Sequence, residues 1–199
     1  MVLSVSMAVV RKVFIAAGML KKLTMTKYQK SIILACHWHA GQTYNDHDYM
    51  HHLFMVDRYL RKYYARIKKP VDQDVLVTGI LHDILEDTEI PRDELKQFGW
   101  NVYWDVVRLS RIKPTIMYYK QIRESENATI VKFADRICNL KSSIQGNNFH
   151  MMRKYLNEKK PFSRLYNNKY KLLYQDLEWL YLKAWIKLTL KNLSNLIHL

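Results

Sequence analysis

Six of the eight histidines, His37, His39, His47, His51, His52 and His82, crowd into one stretch of the chain, most of them beside acidic or aromatic residues. One of them, His82, adjoins Asp83 inside the most apolar run of the sequence and is followed closely by Glu86, Asp87 and Thr88. Burying an imidazole and three carboxylates there costs roughly several kcal/mol unless they are paired or hold a cation. A divalent metal would meet that need, because imidazole nitrogens and carboxylate oxygens are donors such ions accept. A second acid, Asp135, lies in another apolar segment, 130–140. An internal salt bridge to Lys132 or Arg136 is one reading of it. On a helix, however, Arg136 points about 100° away from its neighbour, whereas Asn139, four residues on, shares the face of Asp135. One apolar helix thus carries a carboxylate and an amide on the same side, as a binding or catalytic site would.

Periodicity predicts the elements that must hold these groups. Ile32, Ile33, Leu34 and Cys36 suit a helix over 27–40 that ends at Gly41. A polar stretch, 42–48, leads to a helix over 50–67 with Leu53, Val56, Leu60 and Tyr64 on one stripe, closed by Pro70. Residues 71–85 read as a central buried helix with His82 and Asp83 near its end. Short helices are expected over 91–98, 102–109 and 116–124. Asn127 is a fair N-cap for a helix over 128–144. Helices over 149–158 and 168–190 complete the chain.

With 5 Gly and 4 Pro in 199 residues, the sequence lacks the turns of a many-stranded sandwich or barrel, and an all-α fold is expected. Hydrophobic residues at 49% and charged ones at 25% exclude a disordered chain. A net charge of +14 concentrates polyanions near the surface, with nucleotides, nucleic acid and acidic membranes as the candidate classes. Cys36 and Cys138 have no zinc-type spacing and do not suggest a disulfide framework, which fits a reducing compartment and a cytoplasmic location. Residues 1–26 read as an amphipathic extension ahead of a single domain, 27–199. The apolar run there, 13–20, is far below the roughly 20 residues of a membrane span. The apolar, basic tail, 179–199, is expected to pack on the domain.

Four ordered motifs carry a resemblance. They are His39-Ala40-Gly41-Gln42, Tyr49-Met50-His51-His52, Leu81-His82-Asp83-Ile84-Leu85-Glu86-Asp87-Thr88, and Val131-Lys132-Phe133-Ala134-Asp135-Arg136. Together, over about 27–143, they resemble the HD-domain metal-dependent phosphohydrolases, and within them the hydrolase domain of RelA/SpoT-type alarmone enzymes and their small relatives. The resemblance implies an HD-domain helical bundle with a metal site between its central helices. It implies His52, His82, Asp83 and Asp135 as ligands of one divalent ion, manganese in the family, with His51 pointing elsewhere. Glu86 and Asp87 match the family's catalytic pair, which orients water and manages protons. Asn139 matches a nucleotide-contacting asparagine, and Tyr44, Asn45 and Tyr49 fall where substrate contacts are expected. The family's H-x-G-Q is usually followed by x-R-K, whereas this chain reads Thr43-Tyr44-Asn45, so that Tyr44 stands in place of an arginine and could stack on a purine instead.

The activity so implied is removal of the 3′-pyrophosphate of guanosine tetra- or pentaphosphate, the alarmone of the stringent response. No synthetase module fits in the roughly 55 residues after the motifs, and nucleic acid is not the expected partner. The altered x-R-K keeps open an HD phosphohydrolase acting on a nucleoside 5′-monophosphate or a cyclic nucleotide. A catalytically silent nucleotide-binding protein is the reading from a different class, and the intact set of costly buried polar residues counts against it.

Overall fold

The computed structural model describes residues 25–111 and 115–197. The expected amphipathic extension therefore lies almost wholly outside the described residues. Helix α1, Lys27–Trp38, opens with a reciprocal cap: the Gln29 amide donates to Thr26 Oγ1 and the Thr26 amide to Gln29 Oε1 (3.2 and 2.9 Å). His39 caps its end, and Gly41 turns the chain at φ 81°, a left-handed conformation that suits glycine. The polar stretch that follows is a small antiparallel hairpin, β1 Thr43–Tyr44 and β2 His47–Asp48, with Thr43 opposite Asp48 and Tyr44 opposite His47. Its two-residue turn begins at Asn45, which takes φ 52°, as such turns require.

Helix α2, Met50–Arg66, buries Leu53, Val56 and Leu60 on one stripe, with His52 beside them. Asp72 then caps α3, Gln73–Leu81, by accepting from the Asp74 amide (2.9 Å). The single helix expected over 71–85 is interrupted. The Gly79 carbonyl, which a continuing helix would offer to the Asp83 amide, accepts instead from His82 Nδ1 (2.9 Å). The chain resumes as one turn, α4 Ile84–Asp87, in which the Glu86 and Asp87 amides both donate to the Asp83 carbonyl (2.9 Å each).

A 3₁₀ segment, Arg92–Phe98, precedes α5, Trp100–Leu109, and α6, Thr115–Arg123. The longest core helix, α7, runs Glu126–Gln145 and is capped by Ser125, which accepts from the Ala128 amide (3.2 Å). The cap is thus Ser125, because it is the last residue with extended backbone, and the expected cap Asn127 lies inside the first turn. After α8, Phe149–Asn157, and the short α9, Lys159–Phe162, the chain ends in α10, Lys171–Ile197, longer than the segment expected.

Helix α7 is the axis of the molecule, packing against α2, α3, α5, α6, α8 and α10. Phe133, Leu140, Leu173 and Leu177 are fully enclosed in the cluster between α7 and α10. A second cluster, with Ala35, Leu53, Val77, Ile80 and Leu95, joins α1 and α3 to α5. Where α3 crosses α2 the helices meet at Gly79, and a Cβ there would lie 2.6 Å from Leu60 Cδ1. Gly79→Val is therefore expected to destabilise the fold by about 1–3 kcal/mol through overpacking, read as a lower midpoint in urea or thermal unfolding. An unchanged midpoint would show that the α2–α3 contact is not tight.

Candidate metal centre

The break after α3 and the middle of α7 face the start of α2, and four side chains meet there. His52, His82, Asp83 and Asp135 each offer a ligand atom, and these atoms all lie within 4.8 Å of one another. Nε2 of His52 is 3.4 Å from both Asp83 Oδ2 and Asp135 Oδ1. Nε2 of His82 is 2.9 Å from Asp83 Oδ2 and 3.6 Å from Asp135 Oδ1. Both imidazoles are 1% exposed. His51, one residue before His52, is on the surface, where it stacks on His47 (centroids 4.3 Å apart).

The donor set fits a divalent cation. Nε2 of His82 is buried with no hydrogen-bond partner, while its Nδ1 is engaged by the Gly79 carbonyl. That carbonyl fixes the ring so that Nε2 faces the two carboxylates, as an outer partner does for a metal-bound histidine. Without a cation, the same groups hold protons. Burial works against charge on His82, but Asp83 and Asp135 outweigh it and hold its pKa at about 10. His52 is likewise raised by the two carboxylates against its burial. Burial resists charge on Asp83 as well, and the two imidazoles overcome it to hold the carboxyl well below the usual range.

Asp135 is shared between two tasks. Its Oδ1 faces the imidazoles and accepts from Asn139 Nδ2, and its Oδ2 accepts from Lys132 Nζ (2.8 Å). The salt bridge and the site are therefore both present. Arg136 turns to the other side of α7, where it pairs with Glu158 and lies over the Tyr155 and Phe162 rings (4.6 and 4.7 Å).

Around the four donors stands a rim of polar residues. The Tyr49 hydroxyl lies 2.7 Å from Asp83 Oδ2 and 2.5 Å from Asp87 Oδ2, so it bridges the two carboxylates rather than pointing outward. Burial and both carboxylates push its pKa far up, and the hydroxyl keeps its proton. Tyr49 also stacks flat on His39 (4.4 Å, 9°). His39 Nδ1 donates to Gln42 Oε1 (2.7 Å), and Gln42 Nε2 donates to the Asp87 carbonyl (2.7 Å). The first motif thus supports the Glu86–Asp87 turn, a role its residue types alone did not reveal. Glu86 and Asp87 are exposed beside the cluster, and Glu86 Oε2 accepts from the Arg111 amide (3.2 Å).

Tyr44 lays its ring on His52 (4.6 Å, 23°) and donates its hydroxyl to Asn139 Oδ1 (2.8 Å). One face expected to be available to a purine is therefore spent on an imidazole. Burial is the main cause of its phenol rising to about 12. Asn45 Nδ2 donates to Ser142 Oγ (2.9 Å), which ties the hairpin to α7 on the same edge as Asn139.

A cation at this site must displace the protons held on the imidazoles, so affinity for a divalent cation is expected to rise with pH and binding to release protons. Calorimetry in two buffers of different ionisation enthalpy reads both effects. Asp135→Asn, which removes a charge donor, should weaken binding by at least the roughly 10- to 100-fold that loss of an outer partner costs. Equal affinity in the variant, or affinity independent of pH, would separate these residues from the metal.

No family model matches the sequence, and no curated protein matches it. Among solved structures it is similar to that of a metazoan ortholog of SpoT that hydrolyzes ppGpp and plays a role in starvation responses. The TM-score is 0.64 at 20% identity, and the match covers 81% of this chain and 97% of that one. Among the described residues ten α-helices enclose a His–Asp group drawn from α2, from α7 and from the break after α3, and the chain shares the all-helical fold of that solved structure.

Proposed function

We propose that this chain is a metal-dependent phosphohydrolase that removes the 3′-pyrophosphate from guanosine tetra- or pentaphosphate, with manganese as the working ion. Water is consumed, the ester bond at the 3′ oxygen breaks, and GDP or GTP and pyrophosphate leave. The observation that carries the reading is the convergence of His52, His82, Asp83 and Asp135, with Asp87 tied to that group through Tyr49. The similar solved hydrolase supports the choice of substrate. So does the +14 charge, which speeds capture of a polyanionic nucleotide.

A bound divalent ion supplies a water of lowered pKa and polarises a phosphoryl oxygen. His82 and Asp83 bind it from the break after α3, His52 from α2 and Asp135 from α7. Asp87, exposed and held by Tyr49, takes a proton from the attacking water. Glu86, anchored on the Arg111 amide, is the partner that returns one to the leaving ester oxygen. Tyr44, Asn45 and Asn139 form the edge that positions the nucleoside.

Asp87→Asn is expected to keep metal content within error of wild type while lowering turnover by about 10² to 10⁴. Metal loss in that variant would make Asp87 a ligand or support instead. The substrate is tested by offering the protein, with manganese, guanosine tetraphosphate, nucleoside monophosphates and cyclic nucleotides, and resolving the products. Release of GDP and pyrophosphate from the first alone is the expected outcome. Cleavage of another nucleotide and not of the alarmone would overturn the substrate and leave the fold as it stands.

A further inference from the structure

Helix α10 has two apolar faces, and the described residues cover only one. Leu173, Leu177, Tyr181, Ala184 and Leu188 are buried against α7 and α8. On the far side Trp179, Leu182, Trp185, Ile186, Leu190 and Leu193 are exposed, Trp179 and Trp185 each by 57% and Leu190 by 61%. At 3.6 residues per turn, all of these but Trp185 fall within an arc of about 80°, and the row is about 21 Å long. A stripe of that size on an ordered helix marks a contact surface. The tail expected to pack on the domain does so along one side only.

The charge beside the stripe says what it meets. No Asp or Glu occurs after Glu178, while Lys183 and Lys191 are exposed along one flank, with Lys187 between them donating to the Ile144 carbonyl. Lys183 Nζ lies over the Trp179 ring (5.0 Å), at the edge of the apolar row. The two acids on α10 are engaged within the fold, Asp176 with Tyr59 and Arg66 and Glu178 with Lys159. A second copy pairing through this helix would bring lysines and a net charge of +14 against the same, with no carboxylate on α10 left to answer them. Among the described residues no helix is long and apolar enough to cross a membrane. Tryptophan, leucine and isoleucine flanked by lysine are instead the make-up of a helix that lies in the interfacial plane of a bilayer.

We propose that the outward face of α10 docks flat on an anionic lipid surface, with Trp179, Leu182, Ile186 and Leu190 in the headgroup boundary and the exposed Lys183 and Lys191 on the phosphates. The opposite face of α10 stays on α7, so docking leaves the His–Asp cluster undisturbed. The proposal is independent of the substrate.

Cosedimentation of the full chain with vesicles of phosphatidylcholine alone, or of phosphatidylcholine mixed with phosphatidylglycerol, tests it. Binding is expected to the mixed vesicles only, weakening as salt is raised. Trp179→Gln combined with Leu190→Gln should weaken it at least about tenfold, and each of Lys183→Gln and Lys191→Gln about fivefold. Because these side chains are exposed, the thermal midpoint should hold, which confirms that the variants are folded. Equal binding to neutral vesicles, no binding, or full binding by the folded double variant would overturn the proposal. So would a wild-type dimer that the double variant dissociates, since a second copy would then cover the face.

Discussion

The structure depends on keeping charge inside a helical core. Two imidazoles, an ammonium group and the Asp135 carboxylate are buried together with Asp83 at their edge, and such a set is stable only if every member has a partner. Asp135 makes that possible by dividing its two oxygens. Oδ2 is committed to Lys132, three residues back on the same helix, and Oδ1 is left for the imidazoles and Asn139. Lys132 offsets one negative charge permanently, and the cluster needs a cation or protons to offset the other. Its own pKa is raised well above the usual value, because Asp135 and the Tyr118 ring outweigh the cost of its burial. The pairing therefore favours the charged ammonium.

This constraint orders the helices. Asp135 can reach Lys132 and Asn139 only along one face of α7, so α7 must be central and α2 and α3 must bring their histidines to that face. His52 comes from the first turn of α2, directly after the hairpin, which gives its ring a firm base in Tyr44. His82 comes from the end of α3, where its Nδ1 takes the Gly79 carbonyl and stops the helix. The interruption is what frees Asp83 to turn into the cluster, and it leaves Glu86 and Asp87 on a separate turn facing outward. A buried imidazole, a half-buried carboxylate and two exposed carboxylates thus come from one short run of sequence.

Much of this was legible in residue types and spacing. The four donors, the diverging His51 and the all-helical scaffold follow from periodicity, from the cost of buried charge and from the motif resemblance. Three features were not legible. The end of α3 was hidden because a side-chain donor, rather than a Gly or Pro, interrupts the ladder, and apolar periodicity runs on through it. The hairpin was hidden because two-residue strands carry no alternation to detect, and its turn uses Asn-Asp rather than Asn-Gly. The roles of His39, Gln42 and Tyr49 were hidden because they act through one another: a ring stack, a side-chain amide and a shared hydroxyl link residues far apart in sequence.

The same reasoning separates the two tyrosines of the site. Tyr49 has one ring face on His39 and its hydroxyl between two carboxylates, and so holds Asp87 in register with Asp83. Tyr44 supports His52 with one face and Asn139 with its hydroxyl, and it brings no positive charge. A phosphate-rich ligand must then find its positive contacts elsewhere. Among the described residues, the backbone amide of Arg111 already holds Glu86, and its guanidinium lies over Tyr118, 3.7 Å from Glu158. The positive potential that an anion meets at this edge therefore comes mainly from the long-range field of a chain with fourteen excess positive charges.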